Sequence, residues 1–213
     1  MKKVLLLSAI LVGMTSVAFA SEKEEANKVQ KWSADAWDAE LSKMPKGSAS
    51  SGEKLSKKGY CYTCHGEKGV APTNNAPSLA GIDATWTYKA LLDYQTHLFH
   101  IDNKSLVMEA VTQPLSKQDM SDLAVYYAGH KRPAGPSTVK KPKKVRKCAK
   151  CHDSGDEDDG PSLIGQSSLY IERQVKAYKH KIRRTEVGKP MYKAVKKLKA
   201  KKTKSIAEYY HDQ

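Results

Sequence analysis

The apolar positions of this chain recur at helical spacing. Met120, Leu123, Ala124 and Tyr127 stand at i, i+3, i+4 and i+7, which predicts a helix with one apolar face. Ser116 and Asp119 ahead of it supply an N-cap and an acidic third position. A matching apolar run, Ile206-Ala207-Glu208-Tyr209-Tyr210, closes the chain, but Lys199 and Lys202 occupy the capping places. Cations at a helix N-terminus oppose the macrodipole, so this last helix is expected to be the less stable of the two. Glu24 to Met44 reads as an amphipathic helix, with Val29, Trp32 and Ala36 on one stripe and Trp37, Leu41 and Met44 on another. Two tryptophans on one helix need a partner surface. The candidates are the adjoining part of the chain or the distant pair Ile206 and Tyr210. No segment reads convincingly as a strand, so the expected fold class is all-α.

The elements are duplicated, with offsets of 83 to 87 residues. Pro77-Ser78-Leu79-Ala80-Gly81 matches Pro161-Ser162-Leu163-Ile164-Gly165. Trp86 and Tyr170 each follow five residues after the glycine and open a helical stretch, in which Leu91 and Tyr94 correspond to Val175 and Tyr178. Met108 stands seven residues before Leu115, and Met191 seven before Leu198. Leu123 to Tyr127 then matches Ile206 to Tyr210.

Ahead of each repeat lies Cys-x-x-Cys-His: Cys61-Tyr62-Thr63-Cys64-His65 and Cys148-Ala149-Lys150-Cys151-His152, which use all four cysteines. The pattern is that of covalent haem c attachment. Two thiols at this spacing form thioethers to the two vinyl groups of one porphyrin, and the adjoining imidazole is carried over the iron. Two disulfides are the bland alternative for an exported chain, but each pair carries a histidine in the same next position. A zinc ribbon wants its two pairs about 15–20 residues apart, whereas Cys64 and Cys148 are 84 apart. A redox-active Cys-x-x-Cys sits in a βαβ pattern, which is missing here. The expected cofactors are therefore two haem c groups.

The equivalent methionines Met108 and Met191 are candidates for the second axial position. Histidine–methionine ligation leaves iron no open site and raises its potential, which points to electron carriage and not to catalysis. Met120 and Met44 read as core filler. His97, His100 and His180 follow the aromatic helices, but His97 pairs with Lys181 in the repeat, so they read as surface histidines. His130 and His211 trail the terminal helices and carry no assigned role.

From about Gly52 to the C-terminus, these motifs resemble those of the dihaem cytochrome c4 family, two class I cytochrome c domains in tandem. The resemblance implies His65 and His152 as proximal ligands with Met108 and Met191 distal. It also implies that the carbonyls of Pro77 and Pro161 accept from the proximal imidazoles, fixing ring orientation. Such proteins carry electrons to terminal oxidases or other periplasmic partners. The resulting domain expectation is 1–20 signal peptide, 21–50 helical extension, 51–130 first cytochrome domain, 131–147 linker and 148–213 second domain. The second domain departs from the pattern. Only Lys131 to Lys147 precede its motif, and Pro133, Pro136 and Pro142 with a basic run disfavour the opening helix.

Lys2 and Lys3, an apolar run from Val4 to about Val17 and Ala18-Phe19-Ala20 ahead of Ser21 form an export signal with cleavage after Ala20. The run falls short of the about 20 residues that span a bilayer, so the expected location is the periplasm. Charge divides unevenly. Residues 21–130 hold 12 basic and 14 acidic side chains, net −2, and residues 131–213 hold 23 and 9, net +14. A basic half suits an acidic redox partner or an anionic membrane surface, and export argues against nucleic acid. The acidic run Asp153, Asp156, Glu157, Asp158 and Asp159 does not match an EF-hand and reads as a solvated loop. The leading function is a periplasmic dihaem carrier of single electrons. Alternatives are the cytochrome subunit of a larger oxidoreductase, such as a flavocytochrome c sulfide dehydrogenase, and a catalytic dihaem peroxidase, which the two methionines disfavour.

Overall fold

The computed structural model describes residues 32–133, 135–153, 160–185, 187 and 190–213. Among them every regular element is helical. They are α1 (Ala34–Leu41), α2 (Ala49–Lys58), α3 (Tyr62–His65), α4 (Ala84–Gln95), α5 (Asn103–Thr112), α6 (Lys117–Ala128), α7 (Val145–His152), α8 (Ser168–Lys179), α9 (Pro190–Val195) and α10 (Ala200–His211). Residues 1–20 and the cleavage point after Ala20 lie outside the described residues.

The first repeat is organised by α6, which packs against α2 and α4. Met120, Leu123, Ala124 and Tyr127, predicted as one face, are all buried. Ser116 and Asp119 form the reciprocal capping box that their spacing implies. At Gly52 a Cβ would overlap the Asp122 carbonyl, so only glycine permits this approach of α2 to α6. Tyr127 Oη and Ser56 Oγ share a buried hydrogen bond of 2.7 Å across the same contact.

In the second repeat α10 packs against α8, and Val145, Ile171, Ile206, Ala207, Tyr209 and Tyr210 form the core. Lys199 provides no side-chain cap to α10. From Pro133 to Lys144 the described residues contain no helix. Instead an extended segment is bound to the C-cap of α10. Ser137 N donates to Asp212 O at 2.9 Å, Val139 N to Asp212 Oδ2 at 2.6 Å, and Thr138 Oγ1 to the same carboxylate at 3.2 Å. Val139 then packs on the core. The helix carrying the second motif begins at Val145, inside the span 131–147 expected to be linker, because buried Val145 anchors its first turn in that core.

The N-terminal helix differs from its sequence expectation in length and in place. α1 covers Ala34–Leu41, with Ser33 as N-cap, and is shorter than Glu24 to Met44; residues 24–31 lie outside the described residues. Trp37 packs with Tyr88, Leu92, Met120 and Ala124, flanked by Trp32, Leu41 and Met44. The alternative partner, Ile206 and Tyr210, is covered by Val139 and Val145 instead. The tryptophans thus serve the first repeat.

The two repeats meet along a seam of buried polar contacts. Lys89 Nζ donates to Asp93 Oδ2 at 2.6 Å and crosses to Thr185 O at 2.5 Å, while Trp32 Nε1 donates to Asp93 Oδ1 at 2.7 Å. Burial pulls the Lys89 ammonium down and pushes the Asp93 carboxyl up, each partly offset by the other's charge. The Arg183 guanidinium lies 3.9 Å from the centre of the Phe99 ring, its partner across the repeat. Gln166 and Ser167 reach Ser78 and Asn74 at the other end of the seam.

Candidate haem sites

Each candidate site draws on three short segments of its repeat. The first is the motif itself. Cys61 is the N-cap of α3, Cys64 lies within it and His65 ends it; Cys148, Cys151 and His152 lie on the last turns of α7. The four thiols are free, so the disulfide alternative is not realised. Burial pushes the Cys61 and Cys148 thiols up.

The second segment holds the histidine. His65 Nδ1 lies 2.8 Å from Pro77 O, and His152 Nδ1 lies 2.8 Å from Pro161 O. A carbonyl oxygen only accepts, so Nδ1 carries the proton in both rings. In the neutral ring this leaves Nε2 its lone pair, the form in which imidazole binds a metal. Burial of His65 pulls its pKa below the ordinary value, with the bond to Pro77 opposing, which favours that neutral form.

Both proline segments are fastened in the same way. Gly81 N donates to Tyr127 O at 3.1 Å and Gly165 N to Tyr210 O at 2.8 Å, tying each loop to its terminal helix. The glycines have φ of +68° and +69°, which explains why glycine recurs at this place in the repeat. Pro77 and Pro161 therefore sit at fixed offsets from the core helices, and the imidazoles follow.

The third segment carries the methionines. Met108 lies half-buried on α5 and Met191 half-buried on α9. Met120 is fully buried in the first core and Met44 packs on its edge, as core filler should. His97 and His100 are partly exposed, but both are engaged: His97 Nδ1 lies 2.8 Å from Glu109 Oε2 and His100 Nδ1 2.6 Å from Oε1. That clasp bridges the turn after α4 to α5, a contact sequence reasoning missed because Glu109 looked like an ordinary helix acid. His180 is exposed. Asp153 accepts from Tyr210 Oη at 3.0 Å, while Asp156 to Asp159 lie outside the described residues. Among the described residues no cluster of three or more His, Cys, Asp and Glu could hold a metal ion by itself.

The residues fit two haems. Thiol pairs, proline-backed imidazoles and half-buried thioethers recur in the same order. The large apolar side chains left exposed include Leu106, Val107 and Val111 around Met108, Tyr60 beside Cys61 and Ile164 between Pro161 and Gly165. They supply apolar surface in the segments that carry Met108, Cys61 and Pro161, as a porphyrin face requires.

Comparison with known proteins agrees with this geometry. Residues 47–126 match the family model described as cytochrome C oxidase, cbb3-type, subunit III. Over 82 residues the chain is 34% identical to cytochrome c-554(548) of Halomonas halodenitrificans, covering 38% of this chain and 95% of that one. It is 27% identical over 186 residues to cytochrome c4 of Stutzerimonas stutzeri, covering 76% of this chain and 88% of the relative. The crystal structure of reduced cytochrome c4 from Pseudomonas stutzeri superposes with a TM-score of 0.64 at 25% identity, over 78% of this chain and 98% of that chain. The chain belongs to the dihaem cytochrome c4 family. It is all-α, binds two haem c groups and transfers electrons with redox proteins as partners. A further relative, 27% identical over 169 residues, or 70% of this chain and 76% of that one, is the thiosulfate dehydrogenase electron acceptor of Thiomonas intermedia (strain K12).

Proposed function

We propose that this protein is a periplasmic carrier that takes single electrons from a dehydrogenase-type donor and delivers them towards a terminal oxidase. In this reading Cys61, Cys64, Cys148 and Cys151 hold the haems, His65 and His152 are proximal ligands, and Met108 and Met191 are distal. The observation that carries it is the doubled arrangement of a proline-backed imidazole followed, in each repeat, by a half-buried methionine. Haems held by these residues would each supply a one-electron iron couple. The chain's own part is to orient. Pro77 and Pro161 fix the imidazole planes, Gly81 and Gly165 tie those prolines to α6 and α10, and the apolar side chains near Met108 keep water from the ligand. Such a site carries out no bond-making step, in keeping with a carrier and not an enzyme.

The domain division 51–130 and 148–213 joined through 131–147 is part of this proposal, supported by the separate cores around α6 and α10. Export through residues 1–20 is supported by their sequence pattern. No helix among the described residues is long and apolar enough to cross a membrane. The acceptor is proposed from the oxidase-subunit family model, and the donor from the relative named as a thiosulfate dehydrogenase electron acceptor. That relative also supports a second reading, a cytochrome working beside a partner enzyme as part of a larger oxidoreductase. Co-purification of a stable enzyme partner distinguishes the second from the first.

The optical spectrum of the oxidised protein tests the site. Methionine sulfur on ferric haem gives a weak long-wavelength charge-transfer band. Met108→Ala and Met191→Ala should each remove part of it. A band unchanged by both substitutions would show that the ligands are elsewhere.

A further inference from the structure

Gln166 is among the largest fully buried side chains of the molecule, at 2% exposure, and it lies on the seam with the first repeat. Its Oε1 accepts from Ser78 N at 3.0 Å and from Ser167 N at 3.0 Å, and its Nε2 donates to Ser78 O at 2.9 Å. Two backbone N–H donors face Oε1 and a carbonyl faces Nε2, so the amide has one orientation. The repeat places Ile82 at the equivalent position of the first half, so the duplication does not account for Gln166.

Ser78 N–H belongs to the same peptide group as Pro77 O, the acceptor of the His65 Nδ1 proton. The contacts therefore form one unbroken chain. His65 Nδ1–H donates to Pro77 O, and the N–H of that peptide donates to Gln166 Oε1. A peptide whose N–H is hydrogen-bonded has a more negative oxygen, and bonds in such chains polarise one another in a low-dielectric interior. We propose that Gln166, from the second repeat, is a positioning residue for the first haem: it strengthens the Pro77 acceptor and makes His65 a more electron-donating ligand. The second Gln166 bond, to Ser78 O, holds the peptide plane in place. At the other site Arg132 Nη2 donates at 3.1 Å to Ser162 O, which belongs to the peptide after the one that accepts from His152. Gln166 thus acts on one haem only.

The sign follows from ligand basicity. A stronger acceptor at Nδ1 raises electron density at Nε2 and favours ferric iron. Loss of the amide should raise the reduction potential of the first haem and leave that of the second in place. The inference rests on His65 as a ligand of the first haem. In the diamagnetic reduced protein, a ligand imidazole is recognised by its strongly ring-current-shifted ring protons, so failure of that assignment is visible in the wild type before any variant is compared.

The test is nuclear magnetic resonance with potentiometry on the holoprotein. In the wild type, a through-hydrogen-bond coupling between Ser78 N and the Gln166 side-chain carbonyl carbon is expected, and its absence overturns the inference without a variant. In Gln166→Leu, the His65 Nδ1–H resonance should move upfield and the first haem's potential should rise, with His152 and the second haem unmoved. Gln166→Met serves where leucine prevents accumulation. Ser167→Ala removes the 2.9 Å contact to Asn74 on the same seam and keeps the relay, so it should shift neither haem. Equal shifts at both haems, an unmoved His65, or an equal effect of Ser167→Ala would each show that the seam acts by general packing and sink the relay.

Discussion

At the scale of single residues, the strongest demands are made by polar groups that the fold buries. Lys89 and Asp93 are 3% and 2% exposed, and both are held in place by partners distant in sequence, Thr185 and Trp32. Removing one charge leaves the other uncompensated, which costs about 3–5 kcal/mol, whereas replacing both with apolar side chains is often neutral. Lys89→Met should therefore lower the unfolding free energy by about that amount, and Lys89→Met with Asp93→Leu should recover most of it, as read by denaturant titration of the holoprotein. The pair was invisible in the sequence. Lys89 and Asp93 sit four apart on α4 like any surface ion pair, and only Thr185, 96 residues away, shows that they are inside. The histidine sites lie at the other extreme. Cys-x-x-Cys-His and Pro-Ser-Leu-x-Gly are local motifs, so both proline-backed imidazoles follow from segments of a few residues.

At the scale of elements, the two repeats solve the same covering problem differently. In the first, α2 lies on α6. In the second, an extended segment does the work, held by Asp212 at the end of α10. Asp212→Ala should cost about 1–3 kcal/mol, the penalty for leaving buried donors unpaired. The loss should show as faster amide exchange in α10 with α6 unchanged. The ends of the terminal helices differ as well. α6 has a capping box and α10 begins at Lys199 with no side-chain cap. Lys199→Ser should gain about 0.5–2 kcal/mol by supplying an acceptor at that N-cap, measured by urea unfolding. The missing cap was legible because it depends on residues three apart. The loss of the opening helix was legible from Pro133, Pro136 and Pro142, but the pairing of residues 137–139 with Asp212 was not, since a proline-rich strip carries no periodicity. Backbone conformation keeps the repeat where side chains lose it: His97 and Lys181, dissimilar residues, both have φ of +58° in the turn after the aromatic helix.

At the scale of the whole molecule, asymmetry is the governing feature. Lys143, Lys144, Arg146, Lys147 and Lys150 are exposed around the second motif, whereas the first half is nearly neutral. A cationic face speeds encounter with an acidic partner and acts over a Debye length of about 8 Å at physiological salt. Reduction or oxidation by an acidic redox protein should therefore slow steeply as ionic strength rises, and Lys143→Glu with Lys147→Glu should flatten that dependence in stopped-flow measurements. Rates insensitive to salt in the unmodified protein would remove electrostatic steering from its function. The seam ties the charged half to the neutral one through Lys89–Thr185 and Gln166–Ser78, so docking at one haem meets a molecule whose halves are held in register.

The sequence by itself determined two haem attachment points, their doubled surroundings and the all-helical class. Each of these is written in spacings of three to seven residues, where covalent geometry and helical period leave few choices. Tertiary structure decided where the N-terminal tryptophans pack, what covers α10, and which side chain of the second repeat reaches the proline segment behind His65. Those contacts join residues dozens of positions apart, through ordinary lysines, glutamines and aspartates. Their meaning comes from burial, which no local pattern records.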